Sequence, residues 1–73
     1  MKIYVYEIKS SNKIHLKQLH NELNLIISKY LIESKPSTLQ ILSGLNLIIL
    51  TTENEKLVDV LLASKKFILK DAR

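Results

Sequence analysis

No cysteine occurs in the 73 residues, which removes disulfide staples, thiolate metal sites and a thiol nucleophile together and inclines the reading toward a cytoplasmic setting. Glycine occurs once, at Gly44, so no Gly-rich loop can bring a run of backbone N–H groups against a phosphate. The only Arg is Arg73, which denies the chain a guanidinium inside a phosphate-cradling loop. Aromatic residues make up 5%, with no Trp and one Phe, leaving few planes on which bases can stack. No apolar stretch nears the ~18 residues of a membrane span. The opening Met1-Lys2-Ile3-Tyr4-Val5-Tyr6 is interrupted by Glu7 before it makes the apolar segment of a secretory leader. A cytoplasmic protein without membrane association is the expectation.

What is present is a lysine-rich, apolar chain. Its formal charge is +4, and the basic residues are scattered rather than bunched, a mild bias toward anionic partners. Hydrophobic residues make up 47% of a length that suits one domain, residues 1–73. A chain of this size buries only about 60% of the surface its unfolded form exposes, so association with a partner would supply stability that its own core lacks.

The densest apolar run, residues 45–52, reads as a strand buried on both faces, around which the other elements are placed. Ahead of it, residues 2–9 are rich in β-branched and aromatic side chains and carry two sets on opposite faces, Ile3/Val5 and Tyr4/Tyr6/Ile8. Ser10-Ser11-Asn12 is a turn and N-cap cluster. Leu16, Leu19, Leu23, Ile26 and Tyr30 recur at spacings of 3 and 4, which predicts a helix over 13–33 that ends before Lys35-Pro36. Leu25 and Ile32 lie off that stripe and hint at a contact. Residues 38–42 read as a short strand, and Ser43-Gly44 as a tight turn with positive φ at the glycine. Thr52 with Glu55 makes a capping box for a second helix whose buried stripe is Leu57, Val58, Leu61 and Leu62. Residues 67–69 read as a last strand. The segment Leu-Asn-Leu-Ile-Ile occurs twice, at 23–27 and 45–49, and the surrounding pattern assigns the first copy to helix and the second to strand.

The resulting order, β-α-β-β-α-β in about 70 residues, most simply gives a ferredoxin-like α+β fold: a four-stranded antiparallel sheet of order 4-1-3-2 with two helices on one face. A helix over 13–33 overhangs strands of six or seven residues. The alternative therefore pairs residues 13–16 back onto the first strand.

The chemistry is mostly negative. His15 and His20 are five apart and point about 140° from each other on a helix, which makes them poor metal co-ligands. Carboxylates are spread along the chain, and no acid–base pair follows from their spacing. No metal, no cofactor and no enzymatic activity are expected, and Ser11, Lys13 and Lys17 have no neighbour that would activate them. Two readings remain. The first is a protein-interaction or regulatory module, acting as a homodimer or as a subunit of a complex, that covers the open sheet face with a partner. Tyr4 and Tyr6 are its candidate contacts, with Ile48 and Leu50 as neighbours whose outward face parity alone does not settle. The second is nucleic-acid binding, with Tyr4 and Tyr6 as stacking planes and Lys9, Ser11, Lys13 and Lys17 as a candidate anion-binding edge. It ranks second because the third strand supplies no stacking plane and the positive charge is dispersed.

Overall fold

The first strand, β1 (Tyr4–Lys9), runs into Ser10-Ser11-Asn12, and there the chain turns into a helix, α1 (Lys13–Lys29). A computed structural model of the protein describes residues 2–31 and 35–72. Asn12 caps α1 by accepting the His15 N–H on its side-chain oxygen at 2.8 Å, and Leu16 N–H bonds the Asn12 carbonyl at 2.9 Å. Residues 13–16 are thus the first helical turn, not an extension of the sheet. Leu16, Leu19 and Leu23 are buried, and Ile26, Ile27 and Tyr30 continue the same face. The helix stops earlier than the pattern predicts, at Lys29, where the Tyr30 N–H reaches the Ile27 carbonyl at 3.0 Å. Seventeen residues rise about 25 Å, closer to the span of the strands. Ile32 and Glu33, which the sequence assigned to this helix, lie outside the described residues.

β2 (Ser37–Leu42) follows, then a short 3-10 turn (Ser43–Leu45), then β3 (Leu47–Thr52). The left-handed residue of this connection is Asn46, with φ 51° and ψ 48°, and Gly44 does not have positive φ. The 3-10 turn uses residues 43–45, so the chain must reverse one residue later. There Asn is among the side chains that best tolerate the left-handed region. Leu45 belongs to the turn, so β3 begins at Leu47 rather than at 45.

The second helix, α2 (Glu55–Ser64), is capped by Asn54 and not by Thr52. Thr52 is still a strand residue, opposite both Tyr4 and Ser37. Its hydroxyl lies 2.6 Å from the Ser37 hydroxyl and accepts the Asn54 N–H at 2.9 Å. The residue two positions on is therefore the first whose side chain reaches a helical N–H, that of Leu57 at 3.2 Å. Leu57, Val58 and Leu61 are buried, whereas Leu62, expected in the same stripe, stays 51% exposed on the helix flank. Lys65 adopts a left-handed conformation, φ 58°, and ends the helix. Phe67 is buried, Ile68 is exposed, and β4 (Leu69–Asp71) starts two residues later than the pattern suggests.

The four strands form one antiparallel sheet of order β2-β3-β1-β4, and with the β-α-β-β-α-β sequence this is the ferredoxin-like α+β fold. Buried residues of both helices, Leu16, Leu19, Leu23, Leu57 and Leu61, join Ile8, Ile48, Leu50 and Phe67 in a single core, so both helices lie on one face.

Candidate functional site

Residues directly opposite in an antiparallel pair project to the same side, and successive residues alternate, so the register assigns every strand side chain to a face. Tyr4, Tyr6 and Ile8 stand opposite Thr52, Leu50 and Ile48. Ser37, Leu39 and Ile41 stand opposite Thr52, Leu50 and Ile48 from the other side, and Leu69 and Asp71 opposite Ile8 and Tyr6. Ile8, Ile48 and Leu50 belong to the core under the helices. The whole set is therefore the helix-covered face.

This overturns the expected contact surface. Ile48 and Leu50 are fully enclosed, and Tyr4 and Tyr6 share their face, half-buried toward the end of β1. Lys2 places its ammonium 5.2 Å from the centre of the Tyr4 ring. Around the free end of β1, Lys2, Ile3, Tyr4, Val5, Tyr6 and Asp71 line a concavity of about 340 Å³. The physical reason was legible. The alternate set of β1 is Val5, Glu7 and Lys9, two of them charged, so the uniformly apolar set Tyr4, Tyr6 and Ile8 is the one that turns inward.

The face without helices carries Val5, Glu7 and Lys9 on β1, Leu47, Ile49 and Thr51 on β3, Thr38, Gln40 and Leu42 on β2, and Lys70 on β4. Across its middle, Lys70, Glu7, Ile49 and Gln40 form one row, with Leu47 and Leu42 beside it on one side and Val5 on the other. Leu47 is buried, and Val5, Leu42 and Ile49 are half-buried. Leu42, Leu47 and Ile49 thus make a small apolar cluster on β2 and β3 beside the charged Glu7, Lys9 and Lys70 of β1 and β4. No aromatic residue lies on it among the described strand residues, so the stacking planes that nucleic-acid binding would use are on the wrong side of the sheet.

The candidate anion edge is built differently from its sequence reading. Lys9 ends β1 on the open face, and Lys13 and Lys17 lie on the first turns of α1. The Ser11 N–H is taken by His15 Nδ1 at 3.1 Å, and the Ser10 N–H by the Asn46 carbonyl at 2.9 Å. The Ser10 hydroxyl donates to the Asn12 and Asn46 carbonyls, both at 3.1 Å. An anion drawn to these lysines meets ammonium groups and a helix start at which the Ser10, Ser11 and His15 N–H groups are already engaged.

On the helix side, Glu22, Leu25, Ile26, Lys29, Lys66 and Phe67 line a groove of about 270 Å³, bridged by an ion pair of 2.8 Å between Lys66 Nζ and Glu22. Both partners are well exposed, so the pair adds little stability. Leu25 is 66% exposed, as its place off the stripe suggests, and its companion Ile32 is outside the described residues. Among the described residues no group of three or more His, Cys, Asp or Glu is placed to hold a metal ion, and no helix is long and apolar enough to cross a membrane. Comparison of the chain with protein-family models, with curated proteins and with solved structures finds no match.

Proposed function

We propose that the protein is a non-enzymatic protein-interaction module, working as a homodimer or as a subunit of a complex, and that it docks through its helix-free sheet face. The observation that carries this reading is a face that no helix covers among the described residues, on which the buried Leu47 and the half-buried Leu42 and Ile49 are neighbours on β2 and β3, with half-buried Val5 farther along on β1. Covering such a face removes apolar surface from water at roughly 25 cal/mol per Å², and a typical partner removes ~800 Å². Glu7 stands directly opposite Lys70 and near Lys9, so a partner finds charges of both signs beside the apolar side chains.

The test compares tagged wild-type and Ile49→Lys chains purified side by side. A protein, or a second copy, recovered in stoichiometric amount with wild type and lost with Ile49→Lys supports the reading, provided both chains give the same circular dichroism. Equal recovery with both, or a wild-type chain recovered alone, overturns it. A gain in mass on adding single-stranded nucleic acid that survives Ile49→Lys would move the function to Lys9, Lys13 and Lys17.

A further inference from the structure

The two edges of the sheet are unlike. β4 is a three-residue strand, whereas β2 pairs with β3 over six residues in unbroken register, from Ser37↔Thr52 to Leu42↔Leu47. Folded proteins blunt exposed edges with short strands, bulges, Pro or charge. β4 is short, whereas within β2 itself, Ser-Thr-Leu-Gln-Ile-Leu, there is no charge, no Pro and no bulge, and Lys35-Pro36 stand only at its entrance.

The direction of its backbone groups follows from one hydrogen bond. Glu53 N–H donates to the Pro36 carbonyl at 3.4 Å, which extends the β2–β3 register by one position and makes it a bonded one. Bonded and non-bonded pairs alternate along an antiparallel ladder, so Thr38, Gln40 and Leu42 turn their N–H and C=O groups toward β3. Ser37, Leu39 and Ile41 turn theirs outward. The 2.6 Å contact between the Ser37 and Thr52 hydroxyls agrees, because side chains are closest at non-bonded pairs.

We infer that the β2 edge pairs antiparallel with the β2 edge of a second copy of this chain, with Leu39 opposite Leu39 on the two-fold axis. This register sets Ser37 against Ile41, Leu39 against Leu39 and Ile41 against Ser37, which gives every outward N–H and C=O of these residues a partner. Thr38 meets Gln40 on the other face. No charge is brought against a like charge within the strands, and this suits self-pairing in a chain of net charge +4. Leu39 and the 43% exposed Ile41 gain cover on the helix side of the seam. The two-fold axis runs perpendicular to the sheet, so the helix-free faces of both copies lie side by side on one eight-stranded surface. The pairing goes beyond the reading above: it places the contact between copies at the β2 edge and leaves the joined helix-free surface to another partner, and because Ile49 lies outside the seam the two fail separately.

Hydrogen exchange of the backbone amides, read residue by residue at low and high protein concentration, tests it together with the solution mass. The expected result is a dimer whose Leu39 and Ile41 amides exchange at least ~10-fold more slowly than in the dissociated chain. Ile41→Pro removes one outward donor at an edge position where Pro breaks no bond to β3, and it should weaken the dimer about 10-fold or more. A monomer at every concentration overturns the inference. So does a dimer in which those two amides exchange as in the monomer, and Ile49→Lys then shows whether the sheet face holds the copies together instead.

Discussion

Replacing Asn54 by Ala should destabilise the protein more than any other single change at its surface loops. Asn54 is 2% exposed and ties three segments together. Its Oδ1 accepts the Leu57 N–H at 3.2 Å, and its Nδ2 donates to the Tyr30 carbonyl at 2.7 Å. Its backbone N–H donates to Thr52 Oγ1 at 2.9 Å. The Ala variant keeps only the last of these. Losing the N-cap costs about 1 kcal/mol. Leaving the Tyr30 carbonyl without a partner in a part-buried site adds about 1–3 kcal/mol, so the total is about 2–4 kcal/mol. A 73-residue domain has roughly 4–11 kcal/mol to lose. In urea the slope for so small a chain is about 1 kcal/mol per M, so the unfolding midpoint should fall by about 2–4 M with the slope unchanged. Asn54→Ser restores a capping oxygen but not the link to Tyr30, and should recover about 1 kcal/mol of the loss. An Ala variant within about 0.5 kcal/mol of wild type would refute the network as a structural tie. A Ser variant no more stable than Ala would refute the capping share of it.

Gly44→Ala should stabilise the protein by about 0.4–1 kcal/mol in the same urea assay, because Gly44 does not need positive φ and an added Cβ meets nothing within 4 Å. A destabilised variant would show that the turn needs the glycine after all. For His15, nitrogen NMR of the neutral ring should find the proton on Nε2, since Nδ1 accepts the Ser11 N–H at 3.1 Å. A ring protonated on Nδ1 would contradict that hydrogen bond.

The elements and their order were legible because each rests on a strong local pattern. Leu16, Leu19 and Leu23 repeat at helical spacing, and the two copies of Leu-Asn-Leu-Ile-Ile separate cleanly once their neighbours are read. The first lies within α1, while the second crosses from the 3-10 turn into β3. What local pattern misjudged were positions fixed by contacts far along the chain. Thr52 has the right spacing to Glu55 for a capping box, yet its hydroxyl is engaged by Ser37, fifteen residues away in sequence, and the cap passes to Asn54. The sheet face of Tyr4 and Tyr6 was misassigned for a related reason. Tyr4 and Tyr6 attract notice as aromatics, but which side of a strand faces the helices depends on the full set of its neighbours. Glu7 and Lys9 outweigh Val5 in sending their own set outward. Val5, Leu42, Leu47 and Ile49 could have been nominated by asking which set of β1 carries the charges.

The pairing of β1 with both β3 and β4 constrains how the chain acquires its structure during synthesis. β1 leaves the ribosome before either partner exists, and the 38 residues from Lys9 to Leu47 must be added before its first ladder can close. At ~5–20 residues per second that is a wait of roughly 2–8 s, long compared with helix formation. During this interval the next element after Ile3, Tyr4, Val5, Tyr6 and Ile8 is α1, whose residues follow directly in the chain. The stripe through Leu16, Leu19 and Leu23 is thus made before β3 and β4, and it becomes the roof of the core only once the later strands close the sheet beneath it.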